Sequence, residues 1–176
     1  MNLKKLKTWG ITLLLFLVVT AFVSYRRNRP SFDFFELIEY ELDDITLMIY
    51  YLEFHMFTTT RVTVDCFING FYDDKVVVTG EELAKHRDLL GQLANIELIP
   101  SNNRNWVDAR IYYIFEHEKH GEIFSFLSFQ SIEDAMINNQ RVETNRVFYE
   151  VAIAFLPERA ANRVQSRIDY FWPVCD

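Results

Sequence analysis

Apolar and polar positions divide this chain at Pro30. Before it, an uncharged apolar run from Thr8 to Tyr25 is bracketed by Lys4, Lys5 and Lys7 on one side and by Arg26, Arg27 and Arg29 on the other. The run has no polar face, so the pattern predicts a helix in lipid rather than the first helix of a water-soluble core. From Trp9 to Tyr25, at about 1.5 Å per residue, the helix would measure roughly 25 Å. That is slightly short of a hydrocarbon core of about 30 Å, a deficit that snorkelling lysines and arginines cover. Trp9 and Tyr25 stand at its two ends, where amphipathic rings prefer the headgroup level.

Two alternatives share this segment. Val19-Thr20-Ala21 has the small residues of a signal-peptide cleavage site and would leave Phe22 as the mature N-terminus, and a buried N-terminal helix is the third reading. Continuation of the apolar run to Tyr25 favours an uncleaved anchor. No cysteine lies near it, so a lipid-modified N-terminus has no support. Three basic residues on each side nearly balance the positive-inside count. The short N-terminal tail favours N-in, with the rest of the chain outside the cytoplasm.

Beyond Pro30 the pattern changes to short alternating and short apolar segments. Ser31 to Leu42 reads as a stalk or short helix, ended by Asp43-Asp44. Ile45 to Phe54 is apolar on both faces and predicts a strand in the interior of a sheet. Thr60 to Cys66 is either a strand or, with Thr63 as N-cap, the start of a short helix. Lys75 to Val78 predicts a brief strand leading into a helix, with Thr79 and Glu82 as a capping box and Leu83, Leu89, Leu90 and Leu93 as its buried stripe. Ile96 to Ile99 predicts a further short strand.

From Trp106 the chain alternates again, with Val107, Ala109, Ile111, Tyr113 and Phe115 on one face and Trp106, Asp108, Arg110 and Tyr112 on the other. The polar turn His117 to Gly121 returns it through Ile123 to Phe129 as a hairpin. Asn138-Asn139 marks a smaller hairpin between Ala135 and Val142. Thr144 or Asn145 then caps a helix burying Val147, Phe148, Val151, Phe155 and Leu156; Pro157 interrupts it, and a last helix runs through Val164, Ile168 and Phe171 to Trp172-Pro173. The sum is an α+β fold, an antiparallel or mixed sheet with helices packed on one face, preceded by one N-terminal transmembrane helix. The domains are residues 1–30 as anchor or signal peptide, 31–43 as stalk, and 44–176 as one globular unit.

Charge sharpens this division. Residues 1–30 hold six of the eighteen lysines and arginines and none of the twenty-five acidic residues, which leaves the remainder at 12 − 25, or −13. Phosphate backbones and anionic lipid would repel such a domain, so nucleic acid is excluded as a partner and a basic protein or envelope component is favoured. Membrane contact falls to the N-terminal helix alone. The sixteen phenylalanines and nine tyrosines suit strands and a filled core.

Candidate chemistry is sparse. No nucleophile elbow, phosphate loop, zinc-protease pair, dinucleotide glycine pattern or EF-hand loop occurs. Cys66 and Cys175 fit no redox or zinc spacing; they could form a disulfide worth up to about 4 to 5 kcal/mol, or remain buried thiols. His117-Glu118-Lys119-His120 reads as a solvated turn rather than a metal site, and His86 as a packed side chain. Acidic pairs at Asp43-Asp44, Asp73-Asp74, Glu81-Glu82 and Glu133-Asp134 read as turn, helix-start and surface residues.

One group stands out. Trp106, Asp108, Arg110 and Tyr112 share a strand face, and an arginine among aromatics could receive a carboxylate or a sugar; the plainer reading is an Asp108–Arg110 salt bridge on a solvent face. No catalytic residue, cofactor or metal is assigned. The expected function is a membrane-anchored, extracytoplasmic, acidic binding module. The alternatives are a surface hydrolase whose carboxylates converge only in three dimensions and an immunity- or inhibitor-like protein.

Overall fold

A computed structural model describes residues 42–103 and 108–173. The expected anchor over 1–30, most of the stalk, Trp106 and Cys175 lie outside the described residues. Among those described, no helix is long and apolar enough to cross a membrane.

The described chain forms an α+β fold around a six-stranded sheet in the order β2-β1-β3-β4-β5-β6, every pairing antiparallel. A 3-10 turn at Leu42–Asp44 opens into β1 (Ile45–Tyr51), which pairs with both β2 (Asp74–Thr79) and β3 (Ala109–His117). Its apolar character on both faces is explained by that interior place, since side chains of both parities meet a core. Between β1 and β2 lies α1 (Val64–Ile68). Thr63 holds the N-cap position as expected, but its hydroxyl makes no cap bond.

After β2 the expected single helix is two, α2 (Gly80–Ala84) and α3 (Arg87–Ala94). Thr79 precedes α2 without a side-chain cap bond, and Glu82 pairs with Lys85 instead of closing a capping box. Gly80 explains the difference. It takes φ +43°, and a Cβ there would stand 3.1 Å from Asp43 Oδ1, so the chain enters α2 through a conformation only glycine adopts freely. His86 leaves helical geometry at the break, and its ring packs edge-on against Phe155 at 4.7 Å. Ile96 to Ile99 is not a strand. The segment meets β6 through a single bridge at Pro100, which has no N–H with which to extend a ladder.

The β3–β4 hairpin (β4, Gly121–Phe129) and the β5–β6 hairpin (Asp134–Ile137, Gln140–Glu143) form where the sequence places them. Asn138 and Asn139 both take positive φ, 45° and 63°, as a two-residue turn between right-twisted strands requires. Asn145 caps α4 (Arg146–Phe155) by accepting the Val147 amide at 3.0 Å, and α5 (Glu158–Phe171) follows Pro157.

On the face carrying Tyr113, Phe124 and Phe126, α4 is the cover. Phe126 stacks on Phe148 at 5.3 Å, the Tyr113 hydroxyl donates to the Phe148 carbonyl at 3.2 Å, and the Ser128 hydroxyl meets Tyr149 Oη at 3.0 Å. Helices α3 and α5 pack against α4. The opposite face has a core of its own, which corrects the expectation of helices on one face only. There Phe67 of α1 packs on both Tyr50 and its cross-strand partner Tyr112, with Leu52, Val62, Ala109 and Ile114 around it.

A five-residue helix has almost no intrinsic stability, so Phe67, at 0% exposure, is what holds α1 to the sheet. Phe67→Ala is expected to cost about 3 to 5 kcal/mol, read as a lowered urea midpoint with an unchanged m-value.

Candidate functional site

Helix α1 covers only part of its sheet face, and beside it β4 and β5 floor a cleft of about 380 Å³. One wall is the segment Arg61 to Asp65, running into α1. The floor is Tyr112 from β3, Leu127 and Phe129 from β4 and Met136 from β5. Register explains the grouping: Tyr112 pairs with Leu127, and Leu127 with Met136, so one row of side chains crosses three strands on the same face. Glu122, Ser125 and Asn139 also line the cleft.

Ser125 is already engaged. Asn138 Oδ1 accepts from the Ser125 amide at 2.7 Å and lies 3.5 Å from its hydroxyl, so Ser125 faces an amide oxygen rather than a base. Beyond the floor, Arg141 lies over the Phe129 ring at 5.0 Å and is paired with the buried Asp134 across the β5–β6 hairpin. The Tyr112 phenol is pushed up to about 12, first by burial and then by Glu122, Tyr50 and Glu116. It therefore stays protonated near neutral pH. The lining combines an apolar floor with Arg61, Asp65 and Glu122, a surface suited to holding a chain or ring by contact.

Of the three described residues that the sequence groups as a ligand face, Asp108, Arg110 and Tyr112, only Tyr112 lines this cleft. Trp106 lies outside the described residues. Arg110 is 0% exposed because β3 bulges there, with the register shifting between Ala109 and Ile111. The bulge also moves Ala109 into the core shared by Tyr112 and Ile114, where strict alternation placed it on the other face. Arg110 donates to the carbonyls of Ala109 at 3.0 Å and Met56 at 2.9 Å, and its guanidinium stands 3.8 Å from Asp108. Burial lowers its pKa, with Asp108 and Tyr51 opposing. Asp108 accepts from the Thr58 hydroxyl at 2.7 Å and the Val62 amide at 3.1 Å. The pair is thus an interior knot, not a solvent-face salt bridge.

His117 is buried, with Nδ1 accepting the Lys119 amide at 3.0 Å and Nε2 4.0 Å from Asp44, so only the His120 end of that turn is solvated. Among the described residues no group of three His, Cys, Asp or Glu side chains could hold a metal ion. Cys66 sits half-buried on α1 with Sγ 3.5 Å from the Thr63 hydroxyl and 3.8 Å from the Arg61 carbonyl. The cleft wall at Arg61 to Asp65 and the floor at Leu127 and Met136 were not singled out from sequence. The available signal was the apolar character of β4 on both faces, which implies a cover on each side.

Tyr112 gives this geometry a pH signature. Its folded pKa is raised above the ordinary value near 10, so the stability of its neutral form is complete below about pH 10 and is lost as pH climbs towards about 12. In a 295 nm titration, Tyr112→Phe should remove one ionisation near pH 12 and leave those near pH 10 unchanged. Loss of a step near 10 instead would place Tyr112 in water. No family model matches the chain, and neither does any curated protein or solved structure.

Proposed function

We propose that the protein is a single-pass membrane-anchored binding module, with its acidic α+β domain outside the cytoplasm, and that the cleft beside α1 takes an extended basic segment of an envelope protein. The observation that carries this reading is the cleft's lining: an apolar floor of Tyr112, Leu127, Phe129 and Met136 with Asp65 and Glu122 among its polar groups. The floor suits apolar side chains of an extended ligand, and the acids suit its lysines and arginines. The charge of −13 beyond Pro30 draws a basic partner from a distance and repels nucleic acid and anionic lipid. The apolar run from Thr8 to Tyr25 between basic clusters supports the anchor.

Binding is tested with fluorescent peptides that alternate lysine with leucine or valine, against acidic and scrambled-pattern controls, using the full-length chain in detergent. The basic alternating peptide should bind best, and raising salt from about 50 to 300 mM should weaken it severalfold, because exposed charges are screened within about 10 Å. Met136→Arg should weaken binding at least tenfold, while Val77→Arg, on an exposed site of β2, should not. Equal binding of acidic peptides, or an unaffected Met136→Arg variant, contradicts the reading.

Topology is tested separately by labelling the cysteines of intact cells with a membrane-impermeant thiol reagent, before and after reduction. Labelling without permeabilisation is expected. Labelling only after permeabilisation contradicts the extracytoplasmic placement.

A further inference from the structure

A second cavity, of about 530 Å³, lies where the end of β1, the start of β2 and the first turns of α5 come together. It shares no lining residue with the cleft beside α1. Its volume falls within the range of about 300 to 1,000 Å³ common for small-molecule sites. Tyr51 forms part of its lining and is 2% exposed, yet its hydroxyl has no hydrogen-bond partner among the described residues. A buried phenol in that condition forgoes an interaction worth about 1 to 3 kcal/mol, which folded chains seldom leave unmade.

Four charged groups that act on that hydroxyl line the same cavity. Burial first, then Glu53, Asp73 and Asp74, hold the phenol well above its ordinary value against the opposing pull of Arg163, so it remains a donor. Glu53 Oε1 is likewise buried without a partner, while its Oε2 stands 3.7 Å from Arg163 Nε. The acidic wall is fixed by backbone: the Asp73 amide donates to the Tyr51 carbonyl at 2.9 Å, and Asp73 Oδ2 accepts the Glu53 amide at 2.8 Å.

The facing wall has the opposite sign. Helix α5 begins after Pro157, which offers no side-chain cap, and Arg159 and Arg163 follow one turn apart. Its first-turn amides and the positive end of its dipole add to those two guanidiniums. An anion alone would meet three carboxylates, and a cation alone would meet two arginines and a helix start. A molecule carrying both charges satisfies each wall.

We infer that this cavity binds a small zwitterion of the amino-acid class, its carboxylate held by Arg159, Arg163 and the first turn of α5, its ammonium by Glu53, Asp73 and Asp74, and the Tyr51 hydroxyl bonded to it. The site does not depend on the peptide-binding cleft. It gives the domain a means of responding to a small solute.

The test uses the full-length chain in detergent and the free L-amino acids as probes, read by thermal shift and calorimetry. For the best binder, the carboxamide and the N-acetyl derivative are compared with the free form. At least one amino acid should raise the melting temperature and bind, and each blocked derivative should bind at least tenfold more weakly. Tyr51→Phe should weaken binding about five- to tenfold without lowering the ligand-free melting temperature. Arg159→Gln, at an exposed position, should weaken it similarly and serves if Tyr51→Phe does not fold. Absence of binding by every amino acid would show a water-filled cavity only. Equal binding of either blocked derivative would show a single-charge site, and full affinity in both variants would place binding elsewhere; each overturns the inference.

Discussion

The interior knot of Asp108 and Arg110 is the constraint on which both cavities of the described structure depend. Arg110 reaches the Met56 carbonyl, and its own carbonyl accepts the Leu52 amide at 2.8 Å. Asp108 takes the Thr58 hydroxyl and the Val62 amide, and the Ala109 amide returns to the Val62 carbonyl at 3.2 Å. Five bonds therefore tie the connection between β1 and α1 to the start of β3. An arginine and an aspartate so placed are costly to desolvate, and their value lies in the directions they impose rather than in net stability. Loss of Asp108 leaves the buried Arg110 guanidinium with carbonyl partners but no counter-charge.

Both cavities inherit their shape from that knot. On one side it fixes Val62, and through it the wall Arg61 to Asp65 and the angle at which α1 delivers Phe67 onto Tyr50 and Tyr112. On the other it fixes Met56, which lines the second cavity with Tyr51 and Glu53. The aromatic core beneath α4 does not rely on it. Tyr113, Phe126, Phe148 and Tyr149 are held by their own stacking and by hydroxyl bonds to Phe148 and Ser128, so that core is a platform independent of the knot.

Much of the platform was legible in the sequence. The two-sided apolar run of β1, the turn asparagines at 138 and 139 and the Asn145 cap each carry a local signal that tertiary context did not override. What was not legible came from three sources. The bulge at Arg110 broke the period on which face assignments rest, and so hid the burial of a residue read as a ligand contact. Gly80 replaced a capping box with a left-handed entry packed close to Asp43, a residue distant in sequence. The cleft is made by a five-residue helix whose placement follows from contacts across 46 and 50 positions of chain, which no local pattern records. Tyr112 lies beyond the bulge, where the alternation holds again.

The claim that the knot sets the cleft wall is tested most directly by hydrogen exchange in Asp108→Ala under native conditions. The account predicts that protection falls at least tenfold, about 1.4 kcal/mol, at Val62 and through α1, while the β3–β4 ladder and α4 keep theirs. Unchanged protection at Val62 and α1, or an equal loss spread over the whole domain, would contradict it.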